Sequence, residues 1–99
     1  MADIILTNKT VEDLSKIWDY TFEVWTGNHA DRYYEILISC CEEIANNPEL
    51  GRNYEGISRG LFGLKSNRHI IFYRTLNANN VEITRILHER MDLKKRLNE

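Results

Sequence analysis

The chain has 99 residues, 42% of them hydrophobic and 28% charged, with a formal net charge of −2. That length supports one domain, residues 1–99, with a modest core that removes about 65% of the unfolded surface from water. No apolar run approaches the ~20 residues of a membrane-spanning helix, and Met1-Ala2-Asp3 lacks the basic start of a secretory signal, so no membrane role and a cytoplasmic location are expected.

The small net charge conceals an asymmetry. Residues 1–50 hold 3 Lys/Arg against 10 Asp/Glu, whereas residues 51–99 hold 10 against 5. A mixed surface of this kind needs no functional cause. Yet the positive half also carries the most unusual strands of the chain, which points to an acidic partner or a phosphate backbone. Cys40 and Cys41 are the only cysteines. Adjacent side chains on a helix point about 100° apart, so a bridge between them would distort the backbone. No histidine lies at a ligand spacing from either cysteine, so no metal is expected. One cysteine is read as core and the other as its edge.

In chain order, residues 3–6 read as a short strand. Thr7 or Thr10 caps a helix, the latter with Asp13 three places on in an arrangement like a capping box. Val11, Leu14, Trp18, Thr21, Phe22 and Trp25 recur at the period of one buried helical face, and Glu12, Asp13, Asp19 and Glu23 fall mostly off it. Gly27 is read as the stop of this helix. A second helix is expected over 30–45, with Ala30, Tyr33, Tyr34, Leu37, Cys41, Ile44 and Ala45 as its stripe and Asn46-Asn47-Pro48 as its end. The two should form an antiparallel hairpin. A glycine-rich stretch from 50 to 63 lacks the Lys-Ser/Thr ending of a phosphate loop and reads as a connector. A strand follows at about 59–64, then a tight turn at Ser66-Asn67.

Strands over 68–76 and 81–88 complete the sheet. In the last of them Val81, Ile83, Arg85 and Leu87 should share one face, with Glu82, Thr84, Ile86 and His88 on the other. Phe72 and Tyr73 should point to opposite sides, one of them into the core. Residues 90–97 read as a short terminal helix in which Leu93 and Leu97 lie four apart and Asp92 can pair with Arg96. The order strand, helix, helix, three antiparallel strands, helix defines an α+β domain: a helical hairpin packed on a small sheet. Its opposite face would be poorly covered, and such a face commonly awaits a partner.

The strongest motifs are His69-Ile70-Ile71-Phe72-Tyr73-Arg74 and Arg85-Ile86-Leu87-His88-Glu89-Arg90-Met91-Asp92. Together with Asp13-Leu14, Ile17-Trp18-Asp19-Tyr20-Thr21, Ala30-Asp31-Arg32-Tyr33, Asn47-Pro48-Glu49-Leu50-Gly51-Arg52 and Gly60-Leu61, their order and spacing resemble the ParE branch of the RelE/ParE toxin superfamily, from about residue 6 to residue 97. The resemblance implies a toxin neutralised, in a hetero-oligomer, by an antitoxin encoded in the same operon. ParE-like members are similar to proteins that poison DNA gyrase, and RelE-like members to ribosome-dependent messenger RNA endonucleases. The family often places arginine directly after the Gly-Leu pair, where this chain has Phe62.

Metal-free cleavage of RNA needs a base, an acid and cations around the phosphate. The candidates are His88, Arg85, Arg68, Arg74, Tyr73 and Lys65. Lys65 is the only lysine between Lys16 and Lys94, and Glu82 and Glu89 dilute the positive field, so catalysis ranks second and no cofactor is expected. The plainer assignments are His88 bonded to backbone at a turn, His69 on the sheet surface, His29 solvated, and Arg85 and Arg90 paired with Glu82, Glu89 or Asp92. Binding asks less of the residues. An antitoxin segment lying across the open sheet face would meet Arg59, Arg68, Arg74, Arg85, Arg90, Leu93 and Leu97. Gyrase would use that surface or the helical hairpin. An inactive relative kept as a binding module is a third reading.

Overall fold

The structure, a computed structural model, describes residues 3–98. Strand β1 (Asp3–Leu6) runs directly into helix α1 (Asn8–Val24), and α2 (Gly27–Asn46) follows after two residues. The short β2 (Arg52–Asn53), then β3 (Phe62–Ser66), β4 (His69–Asn77), β5 (Asn80–His88) and α3 (Leu93–Leu97) complete the chain. The sheet order is β1-β5-β4-β3-β2, antiparallel except that β1 lies parallel to β5.

Local chemistry sets most of these boundaries. Thr7 caps α1, its hydroxyl accepting the Thr10 N–H. Thr26 caps α2 in the same way through the His29 N–H. Gly27 is therefore the first residue of α2 rather than the stop of α1, and it has no left-handed backbone. Asn67, at φ 56°, takes the left-handed position in the β3–β4 turn, which asparagine tolerates. The stretch expected as a plain connector contains β2, and β3 begins at Phe62, three residues later than the expected strand start.

The sheet separates two apolar layers. On the helical side Leu14, Leu37, Cys41 and Ile44 pack on Ile71, Tyr73, Val81, Ile83 and Ile86. On the other side Leu61, Ile70, Phe72 and Leu87 are covered by Tyr54 from the connector and by Leu93 and Leu97 of α3. The face expected to stand open is thus closed by the chain's own terminal helix. Phe72 and Tyr73 do point to opposite sides, and both are wholly buried because both sides are core. The strict alternation expected along β5 fails at a bulge. Phe72 pairs with Arg85 but Tyr73 pairs with Ile83, so Thr84 is the extra residue. Ile83 and Ile86 thereby share the helical side, and Leu87 falls to the other.

Phe62 stacks on Tyr73 at 5.9 Å between ring centroids and packs on the helical-side core. Burial pushes the Cys41 thiol up to about 12, so it stays protonated as a small core group, while Cys40 at the edge lies 3.2 Å from the Ser66 hydroxyl.

Candidate functional site

The cations singled out by the sequence fall into two sets, and β5 decides between them. β1 pairs with β5 only as far as Ile83, which leaves the rest of that edge to α1. Thr7 and Thr10 donate their hydroxyls to the Thr84 and Ile83 carbonyls at 2.9 and 2.8 Å. Asp13, one turn further, accepts the Ile86 N–H at 3.1 Å. The 7-10-13 spacing thus aims three polar side chains at the backbone of the β5 edge beyond the end of β1, with the Ile83 carbonyl also accepting the Thr7 N–H. Thr10 and Asp13 are buried, so Asp13 belongs to the packed face of the helix and is no capping-box partner.

Arg85 completes this seam. Its Nε and Nη2 donate to the two Asp13 carboxylate oxygens at 2.8 and 3.0 Å, and its Nη1 donates to the Arg96 carbonyl at 3.0 Å. The ion-paired side chains are only 12% and 8% exposed. Arg85 is a tie between α1, β5 and α3, and its partner is Asp13 rather than Glu82 or Glu89.

Three other candidates are also committed internally. The Tyr73 hydroxyl donates to the Pro48 carbonyl at 2.6 Å and accepts the Gly51 N–H at 2.8 Å. It fixes the connector after α2, and burial raises its pKa. A Cβ on residue 51 would collide with that hydroxyl, which is why glycine stands there. Arg74 donates to the Arg59 carbonyl and the Ser58 hydroxyl, bracing the approach to β3. Lys65 pairs with Glu89 at 2.7 Å on the surface, and that contact holds the Glu89 carboxyl below its usual range. Arg59 is exposed, whereas Leu93 and Leu97 are half-buried in the α3 layer. Asp92 caps α3 by accepting the Lys95 N–H.

Arg68, Arg90 and His88 meet elsewhere. At the start of β4 and end of β5, His69 and His88 are directly paired across the strands, their rings edge to face at 5.3 Å. His88 Nδ1 accepts the Arg90 N–H at 3.1 Å, the backbone role read from its turn position. His69 Nδ1 shares a 2.6 Å hydrogen bond with the Tyr33 hydroxyl of α2. Burial and, next, repulsion from His88 lower the His69 pKa to about 4, against weaker support from Asp13 and Glu89. The ring is therefore neutral at pH 7.

These groups form one wall of a cleft of about 590 Å³. Its other wall is the tip of the helical hairpin, where Tyr20, Val24, Trp25 and His29 project. Trp25 stacks on His29 with centroids 5.7 Å apart. Val11, Phe22 and Trp25 were expected in the core but are 51%, 51% and 67% exposed. Helical period locates a stripe but not how far along it the sheet extends. The sequence reading missed this aromatic half of the cleft; the visible signal was Trp25 directly beside the α1–α2 junction, outside the reach of a short sheet. Among the described residues no group of three or more His, Cys, Asp or Glu is placed to hold a metal ion.

The architecture, a helical hairpin on a five-stranded sheet, is shared with a solved chain from the chromosomal ParDE TA system of P. aeruginosa. The TM-score is 0.77 and the identity 17%, over 89% of this chain and 96% of that one. Residues 4–93 match the family described as ParE toxin of type II toxin-antitoxin system, parDE. Toxin ParE1 of Mycobacterium tuberculosis is 33% identical over 84 residues, covering 85% of this chain and 86% of the relative. Toxin ParE1 of Caulobacter vibrioides is 33% identical over 92 residues, covering 93% and 94%. The chain belongs to the ParE toxin family of type II toxin–antitoxin systems.

Proposed function

We propose that this toxin acts by binding and poisoning DNA gyrase, without turning over a substrate of its own, and that a ParD-like antitoxin from the same operon neutralises it in a hetero-oligomeric complex. The observation that carries the reading is the internal commitment of Arg85, Arg74 and Tyr73. A ribonuclease built on these strands would need them at the phosphate, and each is instead a fastener of the fold. Arg68 and Arg90 remain exposed and available for association, and charged groups at such a surface set register and encounter rate with a partner.

The ribonucleolytic reading rests on one feature, the His69–His88 pair. The two imidazoles lie edge to face on the wall of the cleft, and imidazole is the side chain most often used in general acid–base catalysis. The two readings separate in one experiment. Purified protein is expected to inhibit gyrase supercoiling or trap cleaved DNA, while translated messenger RNA stays intact. Ribosome-dependent cuts in primer extension, with gyrase activity untouched, would reverse the assignment.

A further inference from the structure

We infer that the cleft between the hairpin tip and the His69–His88 end of the sheet is the docking site for one segment of the antitoxin, acidic and carrying a bulky apolar side chain. The inference rests on the antitoxin reading above and names the surface and the chemistry that surface selects.

Two independent properties of the cleft converge on that occupant. The first is apolar exposure: Tyr20, Val24 and Trp25 are 68%, 52% and 67% exposed, all on one wall. A chain that can bury Tyr73 and Phe72 completely has no folding reason to leave a tryptophan in water, and clustered exposure of this kind marks an association surface. The second is charge. Arg68 and Arg90 stand at the opposite wall without an ion pair among the described residues, and no carboxylate lines the cleft. The nearby Glu89 carboxylate feels the Arg68 charge, but its ion pair is with Lys65. The floor between the walls, Tyr33 bonded to His69, is fixed before any partner arrives. An amphipathic segment laid along the cleft therefore meets hydrophobic contact on the helical side and cationic contact on the strand side.

A nucleic-acid strand fits less well. Asp19, Glu23 and Asp31 are exposed on the same two helices, so a continuous polyphosphate leaving Arg68 and Arg90 would run into negative charge. A peptide can confine its carboxylates to the two arginines.

The test uses the full chain and the product of the adjacent antitoxin gene. The Arg68→Glu/Arg90→Glu double variant is expected to raise Kd about 100-fold or more and to flatten its salt dependence, and Trp25→Ser about 10-fold. Lys94→Ala/Lys95→Ala on α3 is expected to leave Kd within about twofold. Hydrogen exchange in the wild-type complex should show new protection at 20–29 and 67–69, which does not depend on any variant folding. Wild-type affinity in the cleft variants, together with weakening by the α3 variant, would move the contact to α3 and overturn the inference while leaving antitoxin neutralisation intact. A wild-type chain that forms no complex with that product would refute the antitoxin reading and this inference with it. Binding of a single-stranded DNA 20-mer that is lost in the double variant, with antitoxin affinity unchanged, would assign the cleft to nucleic acid. A chain dimer abolished by Trp25→Ser, again with antitoxin affinity unchanged, would assign it to a second copy.

Discussion

Arg85, within β5, and Arg68, in the turn leading into the neighbouring β4, look alike in sequence, yet they do opposite work. Arg85 sits where β1 has ended and α1 passes along the open edge, so a helical carboxylate reaches it and the pair is buried. Arg68 sits in the β3–β4 turn without an ion pair to a helical acid among the described residues, and remains exposed beside the cleft. The difference teaches that a strand arginine is assigned by what crosses its edge. Its neighbours along the chain do not decide it.

The sharpest way to break the comparison is at Asp13. Asp13→Ala leaves Arg85 buried without its counter-charge and the Ile86 N–H without its acceptor, and should cost about 3–5 kcal/mol in chemical denaturation. A loss below about 1 kcal/mol would mean Arg85 is as free as Arg68. By the same logic Arg85→Ala measures stability, and lost toxicity in that variant says nothing about catalysis.

A smaller effect is expected at His69. Its unfolded pKa is near 6.5 and its folded pKa about 4. Between those values the unfolded chain takes up a proton that the folded chain refuses. The contribution of His69 is therefore intact above pH 6.5 and falls as the pH drops toward 4, by at most about 3 kcal/mol. The groups facing the ring are His88, the Tyr33 hydroxyl and, more weakly, Asp13 and Glu89. Urea denaturation from pH 7.5 to 4 should show a steeper loss for wild type than for His69→Gln; parallel curves would remove His69 from the acid response.

The smallest effect belongs to Arg68 and Arg90. Replacing either by alanine should change stability by no more than about 0.5 kcal/mol, because both are exposed and neither is ion-paired among the described residues. A larger loss in thermal or urea melts would place them with Arg85 as structural ties.

Much of the fold was legible because it follows from local rules. Leu14, Leu37, Cys41, Ile44 and Ala45 recur at helical period and are buried, and Thr7 and Asn47 mark helix ends that the structure keeps. What was not legible depends on distance along the chain. Nothing near Asp13 announces a partner 72 residues away. The bulge at Thr84 is set by how β4 and β5 register, so the side-chain alternation that precedes it cannot foretell it. Trp25 and Phe22 read as core because hydrophobicity reports a face, while burial also requires something opposite. The cleft itself was invisible for a related reason, since it joins the junction of two helices to the ends of two strands far away in sequence.

The parallel pairing of β1 with β5 sets the order in which the molecule can be finished. Asp3 is aligned with Asn80, so β1 has no sheet neighbour until β5 has been synthesised. Contacts of such long span form late, after the closure entropy of the intervening chain has been overcome. The α1 hydroxyls and carboxylate that close the β5 edge, and the arginine that locks it, come together in the same final step. A chain interrupted before that strand would carry the aromatic hairpin tip, Arg68 and His69, but lack His88 and Arg90 of the opposing wall. Synthesis itself is thereby a checkpoint: only a chain extended past β5 presents the whole of the cleft proposed above for recognition.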